Sequence, residues 1–219
     1  MLVNYITAYQ LLVVMGSLHQ GDRVVIQSAA GGIGLAALDI CRIYGAETIG
    51  ITSASKHAFL HSRGLDHAID SRSADGLKKI QQISRGEGVE IVLNSQGGPS
   101  WRQSYDLLAP TGRLLTFGVS SLALGRRRSL PSLLRLALTL PRFTPLRLMD
   151  ENKGVLGVNV GHLWHKPHLV RGWAEQILAW YGEGKVAPQI DRAFPFAQAP
   201  DAHQYLHDRK TIGKILLEP

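Results

Sequence analysis

Three closely spaced glycines, Gly31, Gly32 and Gly34, carry the clearest chemical signal in this chain. A glycine-rich turn bends sharply and lets a phosphate approach its backbone, because no Cβ stands in the way. A helix that begins at such a turn presents unpaired N–H groups and the positive end of its dipole to the phosphate. We therefore predict that this turn, which also includes Ala30 and Ile33, binds the pyrophosphate of a dinucleotide.

The segments around the glycines are those that a nucleotide-binding turn requires. An apolar run, DRVVIQS, precedes the turn, and the helix-like LAALDICRIYGA and a second apolar run, ETIGITS, follow it. A glycine pattern alone also fits an ordinary tight turn, so the strand-turn-helix-strand context carries the prediction. Gly45 stands where a left-handed cap would end the helix.

The end of the second strand indicates which nucleotide is preferred. NAD-binding folds usually place an acid about 20 residues beyond the glycines, where it accepts hydrogen bonds from the ribose. Residues 48–65 contain no acid, whereas Ser53 and Lys56 offer a hydroxyl and an ammonium that suit a 2′-phosphate. This pattern favours NADPH over NADH. The alternative is that Lys56 is only a solvated residue at the start of a helix.

Alternating strand and helix patterns predict an α/β fold, a Rossmann-type doubly wound parallel sheet, over residues 1–184. Ser95 follows one apolar run and Gly118 follows another, and ligands of open α/β sheets bind at such carboxyl ends of strands. Residues 185–219 differ in kind, because two short strands with one helix between them cannot form a core by themselves. Beyond the first two, the strands predicted in the sheet cover residues 67–69, 89–93, 113–117 and 154–160.

Composition sets broad limits on the protein. The chain has 219 residues, of which 45% are hydrophobic, and this suffices for a substantial core. A single cysteine, Cys41, excludes an internal disulfide. No apolar stretch reaches the length of a membrane span, and the first residues lack the basic leader of a signal peptide. We expect a cytoplasmic location.

The positive charge is concentrated in one region. Residues 107–149 hold seven arginines and no acid or lysine, which equals the net charge of +7. An insertion predicted over residues 119–150 contains Arg126, Arg127 and Arg128, which could attract a membrane or a nucleic acid. The favoured alternative is a lid or subunit-contact helix flanked by solvated arginines.

Two further patterns are weak signals of chemistry. Tyr181 and Lys185 have the spacing of a short-chain dehydrogenase pair, but two glycines between them disfavour the shared helix that this pair needs. His162, His165 and His168 are spaced by three, as ligands on a helix can be, yet no cysteine or clustered acid joins them. We predict no metal site.

Several motifs together resemble the zinc-free branch of the medium-chain dehydrogenases/reductases, which includes quinone oxidoreductases, VAT-1-like proteins and polyketide-synthase enoyl reductases. The resemblance runs nearly end to end. The segments that carry it are NYITAYQLL, GDRVVIQSAAGGIG, TSASKH, VEIVLNSQGG, LLAPTGRLLTFG, ENKGVLGVN and TIGKILLEP.

This resemblance implies roles for individual residues. The nicotinamide would lie near Thr7, and Ser71 occupies the position where many quinone reductases carry a tyrosine beside the 2′-phosphate. The departure at Ser71 weakens the preference for NADPH without reversing it. The cofactor-binding residues implied are Thr7, Ala30, Gly31, Gly32, Ile33, Gly34, Ser53, Lys56, Ser71, Ser95, Phe117 and Gly118.

The resemblance also implies an activity and a domain that this sequence lacks. Family members begin with a GroES-like catalytic domain, and residues 185–219 would be the segment that completes it. Hydride would pass from NADPH to a quinone, enone or enoyl substrate without zinc, in a homodimer formed through the strand near residues 155–160. This chain alone would supply half of the cleft, so it is either a truncated product or the partner of a separate polypeptide. A non-catalytic nucleotide-binding adaptor that uses the basic insertion is the alternative.

Overall fold

A six-stranded parallel sheet forms the centre of the fold, with the strand order β3-β2-β1-β4-β5-β6. The computed structural model describes residues 2–119, 140–163 and 165–219. The order reverses between β1 and β4, and this switch point is where open α/β sheets bind their ligands. The strands are β1 (Arg23–Gln27), β2 (Glu47–Thr52), β3 (His67–Asp70), β4 (Val89–Asn94), β5 (Leu108–Thr116) and β6 (Gly154–Gly157).

Helices cover both faces of this sheet, as the doubly wound prediction requires. The prediction of a Rossmann-type fold is confirmed. The helices are α1 (Leu2–Tyr9, continued by a wider turn over Gln10–Met15), α2 (Gly32–Tyr44), α3 (His57–Ser62), α4 (Gly76–Ile83), α5 (Ser100–Asp106), α6 (Pro145–Glu151) and α7 (Pro167–Gly182).

Alternating side chains of the strands divide the core into two clusters. Val24 and Ile26 of β1 pack on one face with α1 and α2, whereas Val25 packs on the other face with Ile80 and Tyr105. This division follows from the period of two along a strand. The side chains of both clusters are buried, which is why the central strands appear in the sequence as nearly continuous apolar runs.

Two predicted strands have different bounds in the structure. The prediction of a strand over residues 154–160 is too long, because β6 ends at Gly157 and a 3₁₀ turn, Val160–His162, follows. The predicted strand over residues 113–117 begins earlier in the structure, at Leu108. Leu108 pairs with Val89 and Arg113 pairs with Ile91, so the register of β5 against β4 shifts between these two pairs. Thr111 has a φ of 68° within this irregularity.

The C-terminal tail, residues 185–219, forms a separate two-stranded sheet, as its short strands predict. Its strands, β7 and β8, run parallel and are joined through a helix, α8. Their bounds are β7 (Ile190–Pro195), α8 (Ala199–His207) and β8 (Lys214–Glu218). The division of function between residues 1–184 and 185–219 stays a prediction.

The basic insertion falls mainly outside the described residues. Arg126, Arg127 and Arg128 belong to residues 120–139, so their predicted contact with a membrane, nucleic acid or partner stays a prediction. Beyond this segment, the described chain resumes before α6, whose first turn is capped by Thr144 accepting a hydrogen bond from the Arg147 N–H. None of the helices in the described residues is both long and apolar enough to cross a membrane.

Candidate nucleotide site

The glycine turn lies between β1 and α2, at the switch point of the sheet. Ser28 adopts a φ of 56°, and its carbonyl accepts a hydrogen bond from the Gly31 N–H at 2.8 Å. Ala29 and Ala30 are buried beneath the turn. The backbone therefore folds back on itself before α2 begins, as the sequence predicts.

Space in this turn is restricted to glycine by the backbone at Gly34, and at Gly32 it is limited by a side chain that can move. A Cβ on Gly34 would lie 2.5 Å from the Ala29 carbonyl oxygen and 2.6 Å from that of Ser28. Both distances are shorter than a van der Waals contact, and the backbone would have to move to relieve them. A Cβ on Gly32 would collide with the Asn4 side chain. Gly45 ends α2 at a φ of 68°, which confirms the predicted left-handed cap.

The first turn of α2 has no side chain to satisfy its N–H groups. Gly31 is the N-cap residue and provides no side-chain acceptor, and no acid occurs in the first turn. Orphan N–H groups at the end of a 13-residue helix, together with its dipole, suit an anion. The turn has the shape and polarity that a pyrophosphate requires.

The loops after β4 and β5 meet the turn from the other side of the switch point. Ser95 Oγ lies 3.1 Å from Ser28 Oγ, so the loop after β4 touches the glycine turn. A Cβ on Gly118 would lie 2.9 Å from the Ser95 carbonyl oxygen. Asn94 is fully buried and fixes the loop by accepting N–H groups from the two residues beyond Ser95, at 2.9 and 3.1 Å. The structure thus brings together predicted residues from two separate loops.

A cleft of about 570 Å³ opens beside these loops. It brings together Thr7, Ile33, Phe117 and Gly118, four of the residues predicted to contact the nucleotide. The Thr7 hydroxyl donates to the Val3 carbonyl at 2.8 Å, which leaves its oxygen as an acceptor. The cleft therefore adjoins the glycine turn, with Ile33 belonging to both.

Sequence reasoning missed part of the lining of this cleft. Trp101, Val158 and Asn159 also line it, and the last two lie in the ENKGVLGVN segment that the family resemblance includes. Nothing near Trp101 in the sequence signals its position. Among the described residues that line the cleft, none has a titratable side chain.

The predicted contacts to the adenosine end are placed differently. Ser53 follows β2 and is half-buried, and the Ser71 N–H donates to the Thr52 carbonyl at 2.8 Å, so both serines lie where β2 and β3 end. Arg72 is exposed next to them. Asp70, at the end of β3, brings a carboxylate to the same edge, although residues 48–65 contain no acid.

Lys56 does not point to open solvent. Its Nζ donates to the carbonyl oxygens of Arg209 and Thr211, each at 2.7 Å, and the residue is only 8% exposed. The alternative that Lys56 is a solvated residue is therefore wrong. Any contact of its ammonium with a 2′-phosphate would have to compete with these two bonds.

The weak signals do not assemble into sites. Tyr181 lies near the end of α7, and Lys185 lies beyond its last residue, Gly182, so the pair does not share a helix. Within residues 2–119, 140–163 and 165–219, no three His, Cys, Asp or Glu side chains are grouped to hold a metal ion. The prediction that zinc is not required remains a prediction.

Comparisons with known proteins place the chain in a family. A family model described as zinc-binding dehydrogenase matches residues 63–217. The human synaptic vesicle membrane protein VAT-1 homolog is 39% identical over 220 residues, which cover 100% of this chain and 56% of that protein. The chain spans about half the length of the VAT-1 relatives that it matches.

Solved structures share the fold. CurK enoyl reductase superposes with a TM-score of 0.80 at 26% identity, covering 99% of this chain and 60% of that one. Mycobacterial Rv1454c, solved in complex with NADPH, gives a TM-score of 0.82 at 24% identity, covering 99% of this chain and 64% of its own. Together with the match over residues 63–217, these likenesses show that the chain belongs to the zinc-binding dehydrogenase family of medium-chain dehydrogenases/reductases.

Proposed function

We propose that this chain binds NADPH across the glycine turn and the adjoining cleft, and serves a zinc-independent transfer of hydride to a quinone, enone or enoyl substrate. The observation that carries the proposal is the convergence of Gly31–Gly34, Ser95 and the Thr7-Phe117-Gly118 cleft at one switch point. Oxidoreductase relatives, among them CurK enoyl reductase, support the same reaction class.

Different residues of this chain would bind different parts of the nucleotide. The N–H groups at the start of α2 would hold the pyrophosphate, and Ser53, Ser71 and Arg72 would face the 2′-phosphate. The Thr7 oxygen, whose own proton is donated to Val3, would accept an N–H from the nicotinamide carboxamide. When bound, NADPH would supply the hydride.

The described cleft would contribute orientation rather than acid-base chemistry. Because none of the described lining residues titrates, the proton that follows the hydride would come from water or from groups beyond the described lining. Positioning alone contributes strongly to such reactions. A second domain that completes the cleft would therefore raise turnover more than nucleotide affinity. We also propose a homodimer formed through β6, which lies at the edge of the sheet.

Titration with NADPH and NADH, followed by nicotinamide fluorescence, tests the proposal. We expect NADPH to bind more tightly than NADH, and Arg72→Ala to reduce this preference by about tenfold, because it removes a charge that pairs with the 2′-phosphate. Arg171→Ala, which removes an exposed arginine from α7, is the matched control and should change neither affinity.

Oxidation of NADPH by quinones and enones then measures turnover by the same chain. Turnover with any of these acceptors would support a catalytic role. Binding of NADPH without turnover would support the need for a further domain. Absence of binding by either nucleotide would contradict the assignment of the turn, and a tighter NADH complex would contradict the preference for NADPH.

A further inference from the structure

One contact between the tail and the nucleotide-binding unit is made by a residue that the sequence assigns to the nucleotide. Lys56 lies at the end of a 3₁₀ turn after β2, and its partners Arg209 and Thr211 are 153 and 155 positions further along the chain. Both bonds are 2.7 Å long, within the range of charge-assisted hydrogen bonds. They hold the backbone just before β8.

The same stretch of backbone is hydrogen-bonded to the glycine turn. Two residues beyond Thr211, the Gly213 N–H donates to the Ala30 carbonyl at 2.8 Å, and Gly213 pairs with Gly31 as an isolated parallel bridge. Gly213 has a φ of 81°, and a Cβ there would lie 2.5 Å from the Gln189 carbonyl oxygen. The Lys56 bonds and the bridge to the turn are therefore parts of one continuous connection.

The environment of Lys56 suits this contact better than a phosphate ligand. Burial lowers the pKa of the ammonium below its usual value, although the negative charge of Asp191 opposes this effect. An ammonium has three N–H donors, and the tail carbonyls occupy two of them. A 2′-phosphate could accept only from the third N–H unless the tail carbonyls were displaced.

We infer that Lys56 is a positioning residue, which pins the tail so that Gly213 supports Ala30 and the glycine turn, and that it does not select NADPH over NADH. The nucleotide part of this inference rests on the proposed function. Loss of the ammonium would free the backbone at residues 209–213 and loosen the turn beneath either nucleotide. Affinity for NADPH and NADH would then fall by the same factor.

The test compares Lys56→Met with the intact chain by two measurements. We expect faster hydrogen exchange of the Gly213 amide and a loss of about tenfold in affinity for both nucleotides, because hydrogen bonds to a charged group are lost. Lys56→Arg, which retains a charge and several donors, should restore most of both properties. Lys79→Met, at an exposed lysine of α4, is the matched control and should change neither.

The outcomes separate the inference from the proposed function. A loss of NADPH affinity with unchanged NADH affinity would overturn the inference, because Lys56 would then be a phosphate ligand. Unchanged exchange at Gly213 would also overturn it. If the intact chain binds no nucleotide, the proposed function fails, and the exchange data still decide whether Lys56 pins the tail. If Lys56→Met does not fold, Lys56→Gln provides the same comparison.

Discussion

The glycine turn at residues 28–34 and the tail at residues 185–219 meet at one backbone bridge, yet they hold their shapes by different means. The turn is packed between a buried strand and a buried helix, and its geometry depends on the absence of side chains. The tail sheet leaves apolar residues such as Ile190, Leu216 and Leu217 exposed. Main-chain geometry determines the turn, whereas contacts made elsewhere determine where the tail lies.

Those contacts come from a few buried polar groups. Asp39 is fully buried on α2, accepts from the Tyr5 hydroxyl at 2.7 Å and pairs with Arg63 at 3.0 Å. Its carboxylate also accepts the Ala187 N–H at 3.0 Å, at the start of the tail. Burial and the bond to Asp39 raise the pKa of Tyr5, so this hydroxyl remains a donor at neutral pH. The tail should therefore respond to the loss of single polar side chains.

The largest effect is expected from Asp39→Asn. This change keeps the shape but removes the charge partner of the half-buried Arg63 and places a buried NH2 group against donors that Asp39 accepts, and we expect a loss of about 3–5 kcal/mol in the free energy of unfolding. Urea denaturation measures the loss, and limited proteolysis should show earlier cleavage near Ala187. Asp106→Asn, in the exposed pair with Arg102, is the control and should cost less than about 1 kcal/mol.

A loss at Asp39 no larger than that at Asp106 would break the comparison, because the tail would then not depend on buried polar contacts.

A smaller effect on stability is expected from Gly34→Ala. The added Cβ would meet two carbonyl oxygens that cannot move freely, and overpacking of this kind costs about 1–3 kcal/mol. Because the turn must shift to accept the Cβ, NADPH affinity should fall together with stability. Denaturation and nicotinamide fluorescence measure the two effects.

The control for this substitution is Gly172→Ala in α7, where a Cβ would meet no atom within 4 Å. Alanine is the better helix former, so this variant should gain up to about 1 kcal/mol and bind NADPH normally. Equal behaviour of the two variants would show that the turn is not restricted to glycine.

The smallest effect on stability is expected from a change at Glu90, near the start of β4 and next to the start of β1. Glu90 accepts from the backbone N–H and the guanidinium of Arg23 at 2.8 to 3.1 Å, and although burial opposes it, these bonds lower the pKa of the Glu90 carboxyl. A carboxyl whose pKa is lower in the folded state than in the unfolded chain stabilises the folded state at pH values above its unfolded pKa, about 4.3. This stabilisation is lost as the pH falls through the pKa of the folded state.

We therefore expect Glu90→Gln to reduce stability at neutral pH and to make stability less sensitive to acid below about pH 5, where the unfolded carboxyl begins to protonate. Denaturation at several pH values measures the slope, and nucleotide affinity at neutral pH should not change. An unchanged slope would contradict the role given to Arg23.

Local patterns in the sequence predict the central features of the fold. Three glycines, two apolar runs and Gly45 are enough to predict the β1-α2-β2 unit, because each acts through backbone geometry or through burial over a few neighbouring residues. The shared cleft of Thr7, Phe117 and Gly118 follows once the family resemblance supplies their roles. These predictions need no knowledge of distant contacts.

The features that the sequence did not reveal depend on contacts between distant residues. Lys56 was assigned to the nucleotide because of its residue type and position, whereas its partners lie more than 150 positions away in the chain. Trp101 reaches the cleft from α5, with no local pattern in the sequence to indicate it. The carboxylate of Asp70 belongs to the neighbouring strand, β3, and reaches the end of β2 only through the pairing of Asp70 with Thr52.

The most direct test of the central claim is hydrogen exchange of the intact chain with and without saturating NADPH, read at individual amides. We predict slower exchange at Gly32, Ile33 and Gly34, with a smaller effect at Gly118, because bound phosphates would accept from the first N–H groups of α2. NADPH binding that leaves the amides of the glycine turn unchanged would contradict the account.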